Sequence, residues 1–99
     1  MFVIANRIPV AKEWHEEFES RFRKRAGEIN SQPGFVSMQI LKPLGDNAPY
    51  VVLTHWEDEA AFDAWIKSDD FKLAHQSPLP KEAFTSKPVM EKHSVVISS

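Results

Sequence analysis

Apolar residues recur along this chain with two different periods. Phe2 to Ile8 is a short apolar run rich in Val and Ile, closed by Pro9, and reads as a strand. Beyond it, Trp14, Phe18, Phe22, Ala26 and Ile29 recur at spacings of four, four, four and three, with Glu16, Glu17, Arg23 and Lys24 between them. That is the 3.6-residue period of an amphipathic helix of about four turns. Pro33 and Gly34 in SQPGF stop it. Phe35 to Lys42 and Tyr50 to Trp56 are β-rich segments joined by the turn-forming PLGDNAP, which predicts an antiparallel hairpin with a long loop. Asp58 is suited to cap a helix over Glu59 to Lys67, and Ser68 with Asp69 and Asp70 to cap a further turn over Phe71 to His75. QSPLPKEAFTSKP holds three prolines and no clean period, so it reads as a loop whose length makes it a candidate lid. Val89 to Ile97 supplies the last strand.

The order βαββαβ predicts an α+β, ferredoxin-like fold in one domain over residues 1–99, with both helices on one face of a four-stranded antiparallel sheet. The other face then needs cover. In the first strand both sides carry apolar groups, Phe2, Ile4 and Ile8 against Val3 and Ala5, and in the third strand Val51 and Leu53 oppose Tyr50, Val52 and Trp56. A second copy packed on the open face would cover them, so a homodimer is expected.

Composition narrows the chemistry. With 99 residues, 42% hydrophobic and 26% charged, the chain is suited to one globular core. Its 12 basic and 14 acidic residues give a net charge of -2, with no basic block to track a phosphate backbone, so no nucleic-acid partner is expected. The absence of cysteine removes disulfides, thiolate metal sites, covalent haem attachment and a cysteine nucleophile. No apolar run approaches the ~18 residues of a membrane span, and MFVIANRIPVAKEW is too short in apolar run for a signal peptide. No membrane partner and a cytoplasmic location are therefore expected.

Three residues stand out against this background. Asn6 shares a strand face with Phe2, Ile4 and Ile8, where asparagine is disfavoured. A buried amide without partners costs roughly 1 to 3 kcal/mol, so either backbone at a bulge or strand end or a ligand must bond to it. His75 lies one turn after Phe71 on the same helical face and is expected to point inward, as a hydrogen-bonded core residue or as a ligand. Trp65 continues a stripe with Ala61, Phe62 and Ile66, where core packing suffices to explain it, as it does for Phe22. Arg21 and Arg25 flank Phe22 one turn apart. Glu17 is placed to pair with Arg21 at the surface, while the alternative is that these arginines receive the carboxylates of an anionic ligand. His15, His55 and His93 show no shared metal spacing.

The combination resembles the IsdG-type haem-degrading monooxygenases, within the antibiotic biosynthesis monooxygenase (ABM) superfamily. The resemblance runs through IANRIPV, ESRFRKRAGEINSQPGFVSMQIL and VVLTHWEDEAAFDAWIKSDDFKLAH. PGF, THWE and AFDAW mark the broad superfamily, whereas the Asn6, Trp65 and His75 set is more specific. It implies a dimeric α+β barrel that binds haem non-covalently, as cofactor and substrate together, and opens the porphyrin with release of iron. His75 would be the axial ligand to haem iron through a neutral imidazole nitrogen, and Asn6 would direct its amide N–H at the reacting oxygen on the other side of the ring. Trp65 would ruffle the macrocycle, Phe22 would belong to the cavity wall, and Arg21 and Arg25 are candidates for the propionates. Molecular oxygen and an external electron donor are implied, with a separate reductase as one source, since no flavin or nicotinamide motif is present. Two other readings stand beside this one: a cofactor-free oxygenase of a phenolic or quinol substrate, and a non-catalytic haem-binding protein.

Overall fold

The computed structural model describes residues 1–76 and 78–99, with the side chain of Ala26 outside the description. Strand β1 (Phe2–Ile8) leads through a single 3-10 turn at Lys12–Trp14 into helix α1 (His15–Asn30). Strands β2 (Phe35–Leu41) and β3 (Tyr50–Trp56) follow, then helices α2 (Glu59–Ile66) and α3 (Asp69–Ala74), a 3-10 turn at Lys81–Ala83 and strand β4 (Val89–Ser94). The sheet order is β2-β3-β1-β4, with every neighbouring pair antiparallel. This is the expected ferredoxin-like arrangement.

Strand β2 and helix α2 each end one residue earlier than the sequence predicts, α3 spans Asp69–Ala74 instead of Phe71–His75, and two further boundaries differ for visible reasons. The last strand ends at Ser94 instead of Ile97, because β1 offers partners only from Arg7 back to Phe2, and Val95 donates its amide to the Met1 carbonyl (3.1 Å). Val96 and Ile97 are then exposed. Trp14 lies on the 3-10 turn before α1 and is not part of the helix, although its side chain still packs against the core. Of the predicted α1 stripe, Phe18 and Ile29 are buried, while Ala26 lies outside the described side chains.

Helix and strand ends follow from local chemistry. The Asp58 carboxylate accepts the Ala61 amide (2.9 Å) and Ser68 Oγ accepts the Phe71 amide (3.1 Å), so each helix start has one otherwise unpaired N–H satisfied. Gly34 sits at φ 80°, a conformation open to glycine, and a Cβ there would come within 2.5 Å of the Ala61 Cβ. The turn into β2 therefore approaches α2 more closely than any side chain allows.

The helix-facing side of the sheet carries two apolar clusters. Ile4, Ile29, Trp56, Phe62 and Trp65 form one, and Ile8, Val10, Phe18 and Tyr50 the other. Asn6 falls between Ile4 and Ile8 on this side of β1, so the space between the clusters opens onto it. On the opposite side Val3 and Ala5 are buried, while Leu41 and Val89 are exposed and Val51 and Leu53 partly so. Among the described residues, no helix is long and apolar enough to cross a membrane.

Candidate functional site

A cavity of about 360 Å³ lies between the helix-facing side of the sheet and α1, α2 and α3. Its size is that of a small-molecule site. Asn6, Phe22, Arg21, Arg25, Trp65 and His75, every residue singled out by the sequence, line this one space.

Asn6 sits in the middle of the sheet, opposite Val52 on β3 and Met90 on β4. Both ladders run through it without a bulge, so its backbone is held from both sides and its side chain is left over. No hydrogen bond joins its amide to any described residue, which removes backbone pairing at a bulge as the reason for an asparagine here. An amide kept half-buried among Ile4, Ile8 and Val52 is a donor and acceptor aimed into the cavity.

His75 is placed differently from the sequence expectation. Helix α3 has only six residues and ends at Ala74, so His75 is its C-cap, exposed at the cavity rim instead of pointing into the core. Its ring is nevertheless fixed. It stacks on Phe71 at 4.0 Å between centroids and 27° between planes, and Nδ1 lies 2.8 Å from the Phe71 carbonyl oxygen. A carbonyl only accepts, so Nδ1 carries the proton and the neutral ring keeps its lone pair on Nε2. That is how proteins commonly orient an imidazole for a metal. Three or more acidic or histidine groups arranged to hold a free metal ion do not occur among the described residues. His15 instead hydrogen-bonds the Val10 carbonyl (3.1 Å), and His93 lies 3.5 Å from Glu91.

Trp65 serves both readings given for it. It is 7% exposed and belongs to the core cluster, yet its face lines the cavity. Phe71 meets it edge-on at 5.4 Å and 87°, so one phenyl ring supports both Trp65 and His75. Ser68 ties the same elements together by donating to the Trp65 carbonyl (2.6 Å) while it caps α3. Gln32 at the end of α1 donates to Asp70 (2.9 Å), anchoring the start of α3 from the other side.

The positive charge comes from α1. Arg21 pairs with Glu17 at 2.9 Å, as the spacing predicts, and also borders the cavity. Arg25 lies over the Phe22 ring at 5.3 Å, and burial, followed by the neighbouring Arg21 guanidinium, lowers its pKa from the ordinary value. Two adjacent cations beside an apolar space are a match for an amphiphile with an anionic end. A smaller hollow beyond Phe22 and Met38 contains Glu19, Lys42 and Tyr50. There the Tyr50 hydroxyl donates to Glu19, holding that carboxyl below its usual range together with Lys42, while burial and the same bond raise Tyr50.

The segment after His75, expected as a loop and candidate lid, lines the cavity through Leu79, Phe84 and Pro88; Ser77 within it lies outside the described residues. It is fastened to the β1–α1 connection by backbone groups. Ala11 donates to Ala83 (2.7 Å), Thr85 to Pro9 (3.0 Å), and Val10 and Phe84 form an isolated bridge. Sequence reading missed Val52, Met90, Leu79 and Phe84 as wall residues. Strand alternation in register with Asn6 was a signal for the first two; the aperiodic loop held none for the others.

Comparison with known proteins agrees with this geometry. The sequence model described as antibiotic biosynthesis monooxygenase matches residues 1–77. A "heme oxygenase (staphylobilin-producing)" of Staphylococcus haemolyticus is 41% identical over 97 residues, 96% of this chain and 91% of that protein. The structure of the heme-degrader MhuD from Mycobacterium tuberculosis, with two hemes bound in its active site, superposes with a TM-score of 0.82 at 31% identity, covering 100% of this chain and 99% of that one. SnoaB, a cofactor-independent oxygenase from Streptomyces nogalater, aligns with a TM-score of 0.78 at 25% identity over 98% and 94% of the two chains. With a family match across most of its length and a fold to suit, this chain belongs to the antibiotic biosynthesis monooxygenase family.

Proposed function

We propose that this protein is a haem-degrading monooxygenase that binds haem non-covalently and opens the porphyrin ring with release of iron. The observation that carries the reading is the convergence of Asn6, Trp65 and His75 with two arginines on one apolar cavity. The staphylococcal and mycobacterial relatives, one a heme oxygenase and the other a heme-degrader, support the substrate.

The residues present fit haem by their chemistry. An imidazole with its Nε2 lone pair free stands at the rim, the walls are apolar, and cations lie on α1 for the propionates. Haem, when bound, would supply the iron and its redox chemistry toward dioxygen, with electrons from an external donor such as a separate reductase. The protein's part is placement. His75 would offer Nε2 to the iron, with the Phe71 carbonyl holding the tautomer. Asn6 presents an amide unpaired among the described residues, whose N–H would stabilise negative charge on a reacting oxygen, and its backbone is already fixed in a two-sided ladder. Trp65, backed by Phe71 and the core, is a fixed wall against which a bound macrocycle would press. Arg21 and Arg25 would receive the propionates on the α1 side of the cavity.

Residues 1–99 act as one domain in this reading, in the cytoplasm, where haem iron is put to use. A second copy covers the open sheet face, closing a dimeric barrel. Leu41, Val51, Leu53 and Val89 on that face, with Val3 and Ala5 already buried beneath it, supply the apolar surface. Light scattering that returned a monomer mass at micromolar concentration would remove the dimer.

The test of function is a visible absorption titration with hemin, followed by ascorbate in air. A saturable Soret band at one haem per chain that then decays is expected. A stable band under reductant and oxygen would leave a haem-binding protein. No specific band would move the protein to the cofactor-independent chemistry of SnoaB, whose fold it shares.

A further inference from the structure

Met90 is one of the two residues paired with Asn6 across the sheet. Directly opposed strand residues on one face hold their Cβ atoms roughly 4.5–5.5 Å apart, and methionine has three further rotatable bonds with which to approach its neighbour. Met90 lines the same cavity as Asn6 and the residue is 52% exposed, so its flexible thioether can reach the space onto which Asn6 opens. The other partner, Val52, offers only hydrocarbon. Of the three methionines in the chain, Met38 also lines the cavity but packs against the core, and Met1 is 55% exposed and does not line the cavity.

We infer that Met90 is a self-oxidation site of this protein: its thioether, carried on the strand position paired with Asn6 and facing the same cavity, takes up oxygen when turnover miscarries and becomes methionine sulfoxide. The inference rests on the haem-degrading reading. Its chemistry is a two-electron oxidation by hydrogen peroxide, formed where dioxygen receives two electrons and two protons from the reductant and no carbon is attacked. The peroxide O–O bond breaks, an S–O bond forms, the sulfur is oxidised from sulfide to sulfoxide, and the second oxygen leaves as water. A polar, chiral sulfoxide in place of an apolar side chain alters the wall next to Asn6. The site thereby records each failed cycle in a form that methionine sulfoxide reduction can reverse.

The near-equal exposure of Met1 and Met90 supplies an internal standard. The protein is incubated with hemin, ascorbate and air in the presence of catalase, and a second sample without hemin is treated with hydrogen peroxide. Peptide mass spectrometry then gives the sulfoxide content at each methionine. Peroxide alone is expected to modify Met1 and Met90 to similar extents. Turnover is expected to raise the ratio of Met90 to Met1 sulfoxide by about tenfold, since proximity replaces diffusion. A ratio unchanged by hemin while the Soret band decays would overturn the inference and leave the haem-degrading reading intact. Equal modification of Met38 and Met90 would overturn it as well, by pointing to diffuse attack throughout the cavity. A Soret band that never forms or never decays would remove both.

Discussion

The two walls of the cavity are built by different means. Asn6 projects from a strand with a neighbour on each side and continuous pairing through both ladders. His75 stands just beyond a six-residue helix, exposed, and is oriented by one carbonyl and one stacked ring. A sheet interior fixes a side chain through many backbone bonds that no single substitution removes. A short helix fixes one through a few side-chain contacts, each of which is open to loss. The wall that carries the proposed iron ligand is therefore the more adjustable of the two, and the wall that carries Asn6 is the more rigid.

Substitutions at the two walls break this comparison in different ways. The largest effect is expected for His75→Ala, which should abolish imidazole ligation of ferric haem, with added imidazole restoring the ligated spectrum. Retained ligation would return His75 to a purely structural role. Asn6→Ala should come next: haem binding within about threefold of the parent, with turnover lowered by about 10²-fold, the usual scale for loss of a preorganised donor. Degradation at the parent rate would end the role assigned to Asn6. Fold stability should change little, or rise, because an unpaired amide among apolar neighbours is removed.

The smallest effect sharpens the comparison instead of breaking it. Ser68→Ala removes the cap of α3 and its bond to the Trp65 carbonyl, and should cost about 1 kcal/mol in denaturant unfolding. If α3 is the adjustable wall, the same change should also broaden the haem-ligation spectrum and speed haem dissociation, while leaving protection of the β1 amides unchanged in hydrogen exchange. Faster exchange throughout β1 would mean that the walls are not independent.

This difference also governs what could be read from the sequence. Asn6 was legible because strand alternation is a rule of period two, and a polar residue among Ile4 and Ile8 violates it visibly. The βαββαβ order was legible for the same reason, as was the Arg21 pair with Glu17 at helical spacing. His75 was named correctly as a cavity residue but given the wrong depth. Whether a helix continues for one more turn depends on tertiary contacts, and α3 stops at Ala74. The end of β4 was overrun because Val95 to Ile97 has strand character, while pairing is limited by where β1 begins. Leu79 and Phe84 were invisible as wall residues, since a loop with three prolines carries no period to mark which of its side chains face inward.

The loop that lines the cavity beyond His75 is attached to Pro9, Val10 and Ala11 through main-chain groups. Most amino acids supply those groups equally well, so the attachment places few demands on which residues stand at Leu79, Phe84 and Pro88. Variation there can reshape one end of the cavity while the seam itself persists. The fold thus separates the part of the mouth that holds from the part that selects, and leaves the latter free to drift toward a different product or a different guest.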